Sequence, residues 1–253
     1  SAFTATNAGA NVNLNWGGSS APDLLNYILY RSTSPTIDPY LQTPLATSTS
    51  LTYTDTSPIS GLYYYFILAQ DIHGNYSPVS VTQRPAVTLN LTMLIQGFYN
   101  SSTDLMVRDT SVVYLRNSTS PYAKVDSAKT YLSNTGAGNF YFTNAANGVS
   151  YYLQLKQRNT LETWSKITQQ FAGSILTYNF TSASSQAYGN NMINVDASPV
   201  RYAVYSGDVN QNGYIDLTDV IQINNAANTF ASGYVVTDLT GNNIVDLTDV
   251  LMA

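Results

Sequence analysis

Apolar and polar residues alternate along most of the chain, in short runs separated by clusters of Gly, Asn, Ser and Pro. VNLNW (Val12–Trp16), NYILYRS (Asn26–Ser32), LTYTDTSP (Leu51–Pro58) and GLYYYFILAQDIHGNYSPVS (Gly61–Ser80) carry this pattern in the first third. A period of two predicts strands with one buried face, and turn clusters at this spacing predict an antiparallel sandwich over residues 1–84. Gln83-Arg84-Pro85 reads as a short hinge. Beyond it, VTLNLTMLIQGFY, TSVVYLRN, NFYFTNA, VSYYLQLKQRN and SILTYNFT predict a second antiparallel sandwich over residues 85–205. The fold class expected is therefore mainly β, two sandwiches followed by a distinct segment over residues 206–253.

The alternation also predicts which side chains leave the core. On the strand after Gly61, Tyr63, Tyr65, Ile67 and Ala69 should face inward, leaving Tyr64, Phe66 and Leu68 outward. On the strand expected beside it, Tyr27 and Leu29 face inward, leaving Ile28 and Tyr30 outward. The outer face of such a sheet is normally wet. Five large apolar groups on it predict a contact surface, for the next domain, another copy of the chain or another protein.

Composition narrows the function. The 253 residues include no Cys, only 10% charged side chains and 21 Tyr, a composition suited to half-buried pleated surfaces. Disulfides and thiol chemistry are excluded. Nothing at Ser1 resembles a signal peptide, and the longest apolar run, Leu62 to Ala69, is too short to span a bilayer. The chain reads as a mature or trimmed soluble piece. Charge is distributed unevenly. Residues 1–82 hold one Arg against four Asp, residues 83–206 nine Lys/Arg against five acids, and residues 207–253 six Asp with no Lys or Arg. No basic stripe is present to neutralise phosphates, so nucleic acid is not an expected partner. The last segment needs another source of positive charge.

That segment writes one acidic phrase twice. GDVNQNGYIDLTDV begins at Gly207, and TDLTGNNIVDLTDV begins at Thr237. Counted from Asp208, oxygen-bearing side chains stand at positions 1, 3, 5, 9 and 12: Asp208, Asn210, Asn212, Asp216 and Asp219. Gly213 is at the sharp-turn position 6, and the Tyr214 carbonyl is at position 7. This is the twelve-residue calcium-loop spacing, in which a hard cation collects six to eight oxygens from a wrapped loop. Thirty residues on stand Asp238, Thr240, Asn242, Ile244, Asp246 and Asp249, with Asn243 replacing the turn glycine. Two calcium ions are the expected cofactors, the first loop being the better site because Thr240 is a poorer ligand than Asn210.

These phrases resemble the duplicated loop–helix segments of dockerin-type modules, which end in Asp where an EF-hand loop has Glu. The resemblance implies two short antiparallel helices, the first from about Thr218 toward Asn225. The second has only Thr248 to Ala253, so the chain is expected to end inside it. In some members such modules bind a cohesin partner, and a docking module of that kind would use Leu217-Thr218 and Leu247-Thr248 as paired recognition positions. Residues 1–84, with Trp16, the YTDT strand, the YYY strand and the DIHGN turn, resemble a fibronectin type III domain. GFYN, VVYLR, KQRNTLETWS, YNFTSASSQAYG and the GDVN junction resemble a C-terminal region of large secreted bacterial proteins, where a prealbumin-like sandwich precedes dockerin-like loops; that family usually has more His where this chain has Lys156-Gln157-Arg158-Asn159.

No catalytic constellation is legible. The one histidine, His73, lies in the DIHGN turn, and the one glutamate, Glu162, sits beside Trp164, where it could pair with Lys166 or bind sugar. The sequons at Asn75, Asn90, Asn100, Asn117 and Asn179 permit glycosylation. The sequence therefore predicts a non-enzymatic, extracellular or cell-surface segment with a structural or adhesive role, calcium-stabilised and open to self-assembly into a filament or surface layer. The alternatives are the accessory C-terminus of a secreted hydrolase, a cohesin-docking module, and a sugar-binding surface centred on Trp164.

Overall fold

The structure, a computed structural model, describes residues 2–8, 11–59 and 63–253. Gly61 and Leu62, at the head of the Gly61–Ser80 run, lie outside the described residues. The chain divides into two compact units. The first comprises Ser1–Val87, Phe142–Val149 and Phe171–Ile175; the second comprises Thr88–Tyr141, Ser150–Gln170 and Leu176–Ala253. In this division the acidic tail groups with the β domain before it, and two short later segments group with the first unit.

The first unit contains β1 (Thr4–Ala8), β2 (Asn11–Asn15), β3 (Leu24–Ser32), β4 (Ala46–Ser48), β5 (Thr52–Asp55), β6 (Tyr64–Asp71) and β7 (Ser80–Gln83). They form two antiparallel sheets, β1-β2-β5 and β4-β3-β6-β7. Val12, Leu14 and Trp16 from the first sheet and Tyr27, Leu29, Tyr63, Tyr65 and Ile67 from the second join in one buried core, as the alternation predicts. Asp55 is buried within it, 1% exposed. It accepts bonds from Arg31 Nη1 and the Tyr65 hydroxyl, both at 2.6 Å. The charge is thereby paired and hydrogen-bonded, which makes its burial tolerable.

The opposite face of β3 and β6 departs from expectation. Ile28, Tyr30, Phe66 and Leu68 do share it, with Ile28 opposite Leu68 and Tyr30 opposite Phe66, yet all four are buried and Tyr64 is partly so. The residues between β3 and β4 close over them. Ile37 and Tyr76 pack on the cluster, the Tyr30 hydroxyl donates to the Pro39 carbonyl at 3.2 Å, and Tyr40 stacks on Tyr76 with ring centroids 5.0 Å apart. The five-residue patch is a second small core rather than an exposed contact surface. The hinge expectation changes as well: Arg84 is 4% exposed, its N–H donates to the Tyr63 carbonyl at 3.0 Å, its guanidinium lies 5.4 Å from the Tyr63 ring, and it bonds the Ala145 carbonyl.

The second unit takes up β8 (Val87–Thr92), β9 (Tyr99–Asn100), β10 (Leu105–Met106), β11 (Thr110–Asn117), β12 (Lys124–Tyr131), β13 (Ala137–Phe142), β14 (Ser150–Lys156), β15 (Thr163–Trp164), β16 (Gln169–Gln170), β17 (Ile175–Asn179), β18 (Ile193–Ala197) and β19 (Val200–Ala203). One sheet runs β12-β11-β14-β15, with β16 also on β14; another runs β13-β8-β17; β9-β10 and β18-β19 are hairpins. Each of the five predicted runs contains a strand. Leu89 and Leu91, Val113 and Leu115, Phe140, Leu153 and Leu155, and Tyr178 are the buried alternates. β12 was not foreseen, because Lys124, Asp126 and Lys129 leave it little apolar alternation; it is an edge strand, where charge discourages pairing with other chains. Two helices close the chain, α1 (Leu217–Ala227) and α2 (Leu247–Met252). Val209, Ile223, Leu239 and Val245 form the apolar centre between them. None of the described helices is long and apolar enough to cross a membrane.

Candidate metal centre

The two acidic loops fold into one hydrogen-bond pattern, repeated thirty residues apart. In the first, the Asp208 carboxylate accepts the N–H groups of Asn212 (3.0 Å) and Gly213 (3.1 Å). In the second, Asp238 accepts those of Gly241 (2.7 Å), Asn242 (3.2 Å) and Asn243 (3.0 Å). Asp219 Oδ1 takes the N–H of Val209 and Asn210 at 2.9 and 3.1 Å, and its Oδ2 takes that of Asp216 at 3.1 Å. Asp249 does the same for Leu239, Thr240 and Asp246, all within 2.9 Å. The twelfth residue of each loop thus ties its beginning to its end and starts the helix. Asn212 and Asn242 accept the N–H of Tyr214 and Ile244 at 2.8 and 2.9 Å, the same short turn in both copies.

Asp216 and Asp246 have a structural task. Each is the N-cap of its helix, accepting Thr218 N–H at 2.8 Å or Thr248 N–H at 2.7 Å, and each closes a capping box with Asp219 or Asp249. The position-7 side chains turn away, Tyr214 being 72% and Ile244 47% exposed, so these residues offer the loop only backbone. Left-handed backbone occurs at two positions per loop: Gln211 (φ 58) and Gly213 (φ 92), then Gly241 (φ 72) and Asn243 (φ 68). Each loop has one glycine for two such positions and spends it differently. The substitution of Asn243 for a turn glycine is accordingly matched by Gly241 replacing Gln211.

Asp208, Asp219, Asp238 and Asp249 are all at most 1% exposed. Burial pushes the Asp208 carboxyl up, the bonds from Gly213 and Asn212 pull it down, and the neighbouring Asp219 charge adds to the rise. Buried carboxylates need a counter-charge. The donor set, carboxylates with amide, hydroxyl and carbonyl oxygens and no N or S ligand, fits a hard divalent cation.

One protein cation reaches the second loop, and its part was not legible from sequence. Arg158, just past β14, donates from Nε to Asp109 Oδ2 at 2.9 Å and from Nη2 to Asp238 Oδ2 at 3.4 Å. It also bonds the Val235 carbonyl. Its guanidinium lies 4.3 Å from the Tyr234 ring centroid and 5.3 Å from that of Phe98. Asp109 further accepts from Gln157 (2.7 Å) and from the Tyr234 hydroxyl (2.6 Å). Next along the chain, Asn159 Nδ2 donates to the Asp238 carbonyl at 2.8 Å, and the Asn159 carbonyl accepts Gly207 N–H at 2.8 Å. One β-domain segment therefore grips both loops. Gly97 allows the close approach, because a Cβ there would collide with the Leu239 carbonyl. Residues some 80 positions apart carry this joint, with no local pattern to announce them.

Elsewhere, Asp23, Asp71 and His73 come together, but Asp71 is committed to its own turn through the N–H of His73 and Asn75 and the Asn75 amide, at 2.7–2.8 Å. Glu162 pairs with Lys156 at 3.1 Å rather than with Lys166, and accepts the Trp164 indole N–H at 2.6 Å.

No protein-family model matches the chain, and no curated protein matches it. Solved structures similar in part include pectate lyase PelI from Erwinia chrysanthemi in complex with tetragalacturonic acid, at 19% identity and TM-score 0.28 over 36% of this chain and 33% of that one. The chicken interferon gamma receptor alpha chain is similar at 11% identity and TM-score 0.27, over 68% of this chain and 90% of that one. The chicken CNTN1 FN1–FN3 domains follow at 13% identity and TM-score 0.25, over 70% of this chain and 62% of that one. TM-scores of this size carry no information about function.

Proposed function

We propose that this chain is a non-enzymatic structural or adhesive segment that works outside the cell. In this reading its first unit is a fibronectin type III-like sandwich, and its second joins a prealbumin-like sandwich to a dockerin-like tail held by two calcium ions. The observation that carries it is the repetition of one loop geometry with two buried aspartates in each copy. Asp208, Asn210, Asn212, Asp216, Asp219 and the Tyr214 carbonyl would hold the first ion. Asp238, Thr240, Asn242, Asp246, Asp249 and the Ile244 carbonyl would hold the second, with Asp216 and Asp246 also capping the helix starts. Bound calcium supplies the positive charge that the segment lacks, and the chain converts that into rigidity through Arg158, Asn159 and Gly97. Calorimetric titration with Ca²⁺ should give two sites in the parent chain and one in either Asp208→Ala or Asp238→Ala. Absence of binding heat, with melting unchanged by a chelator, defeats the reading.

With the Ile28/Tyr30/Tyr64/Phe66/Leu68 face buried, self-assembly would have to use another surface. A docking role for the tail has its own support: Leu217, Ile221, Leu247 and Leu251 are 71%, 50%, 68% and 77% exposed on the two helices. Pull-down with a cohesin-like domain, lost in Leu217→Ser/Leu247→Ser, would favour it over a purely structural role.

A further inference from the structure

The outer face of the β12-β11-β14-β15 sheet carries a second built feature, unrelated to the acidic loops. Registers place Arg116 opposite Tyr152 and Gln154 opposite Trp164, so these side chains share the face away from the buried Leu115, Leu153 and Leu155. Such a face is normally covered by short polar groups. Here Tyr152 and Trp164 lie 6.0 Å apart, and Tyr122 stands nearly perpendicular to both, at 5.8 and 6.2 Å. Tyr188 and Ser165 complete the lining of an open cleft of about 320 Å³.

Two segments carry the outer rings. Tyr122 occupies left-handed backbone, φ 54, which a bulky residue rarely does. The stretch bearing Tyr188 is zipped to β15, with Lys166 N–H donating to the Gln186 carbonyl at 2.8 Å and Ser165 bridged to Ala187. The inner rings are held by a polar network: Glu162 fixes the Trp164 indole N–H at 2.6 Å, and Gln154, 2% exposed, accepts from Arg116 Nε at 2.6 Å. The plane of Trp164 is thus set before any ligand arrives. Tyr122 and Tyr188 remain 43% and 69% exposed, so the cluster is a partly open surface feature and not a core.

The geometry points to a carbohydrate site, in which the C–H face of a pyranose ring stacks on Trp164 and Tyr152 between the flanking Tyr122 and Tyr188. Rings with fixed planes beside anchored polar groups suit a ligand with one apolar face and hydroxyls at its edge. Charge decides against the other ligand class that aromatic cages take, an organic cation. Arg116 lies 5.8 Å from the Trp164 ring and 5.7 Å from the Tyr114 ring, and the Lys124 ammonium lies 5.7 Å from Tyr114. With the Glu162 carboxylate beside Trp164 already paired to Lys156 at 3.1 Å, these positive groups disfavour an ammonium ligand and tolerate neutral or acidic sugars.

The test uses the full chain, titrated calorimetrically to about 10 mM with glucose, mannose and N-acetylglucosamine tetramers, a glucuronate tetramer, and tetramethylammonium as the cationic probe. The expected result is saturable binding of at least one tetramer, with Kd of about 0.1–1 mM and a roughly tenfold weakening in Tyr188→Ala. Tyr188 is exposed, so this variant keeps its fold, and Tyr122→Ala serves as a second. A preference for glucuronate would assign the site to acidic glycans, and a preference for a neutral tetramer to neutral ones. Failure of every tetramer to bind, binding untouched by both variants, or tighter binding of tetramethylammonium than of any sugar overturns the proposal.

Discussion

Replacing Arg158 by Met tests how the tail is held. Arg158 is 9% exposed and lies between two carboxylates, Asp109 at 1% and Asp238 at 0% exposure. Met keeps much of the apolar contact with Tyr234 and Phe98 while removing the charge. Breaking a buried ion pair costs about 3–5 kcal/mol. Asp109 keeps its bonds from Gln157, Tyr234 and the Thr110 N–H, which places the expected loss near the lower end, about 3 kcal/mol. For a unit of this size that corresponds to a fall in Tm of roughly 6–12 °C. Under the proposed calcium reading the sum changes, because a metal on Asp238 would replace the missing guanidinium there. The loss in calcium should therefore be about 1–2 kcal/mol smaller than in chelator. The assay is urea unfolding followed by Trp164 fluorescence in a Trp16→Phe background, with calcium and with chelator. Equal losses in both conditions would mean that Arg158 acts through Asp109 and Tyr234 alone, and the counter-charge reasoning would be wrong.

Other outcomes follow from single contacts. Asn243→Gly should raise stability by about 0.5 kcal/mol in thermal melts, since glycine adopts φ 68 without a Cβ penalty; a loss would show that the Asn side chain holds the loop. Phe66→Asp should unfold the first unit, costing about 4 kcal/mol or more as a charge enters the small core, whereas a stable variant with altered self-association would restore the contact-surface view. Burial, then the bond to Asp109, pushes the Tyr234 hydroxyl up to about 12. The unfolded chain ionises first, so this residue's contribution is complete below about pH 10 and is lost as pH rises toward 12. Tyr234→Phe should flatten that part of the pH–stability curve measured by denaturant titration.

What the sequence disclosed follows from the range of each signal. The calcium-type spacing is local, and the loops close on themselves through bonds spanning two to ten residues, so their form was readable from the duplicated phrase. Strand faces were readable too: alternation put Tyr27 and Leu29 on one side of β3 and Ile28 and Tyr30 on the other. Alternation says nothing about what lies on a face, and the chain between β3 and β4 was free in sequence to leave it bare or cover it. The grip of Arg158 on Asp238 was invisible for the same reason. The aromatic cleft was half visible, since Trp164 stood out beside Glu162 while Tyr122 and Tyr188 reach it only through the fold.

The division of the chain into two units sets how the molecule can be built and dissected. The backbone passes between them five times, after Val87, Tyr141, Val149, Gln170 and Ile175. A gene fragment stopped at residue 84 would deprive the first unit of Phe142–Val149 and Phe171–Ile175, including the Ala145 carbonyl that Arg84 holds. Emerging from the ribosome, that unit must wait for roughly ninety further residues before its last pieces arrive. The two halves are thus a poor choice for separate expression, and a single nick near Arg84 would leave them joined by the remaining strands of chain.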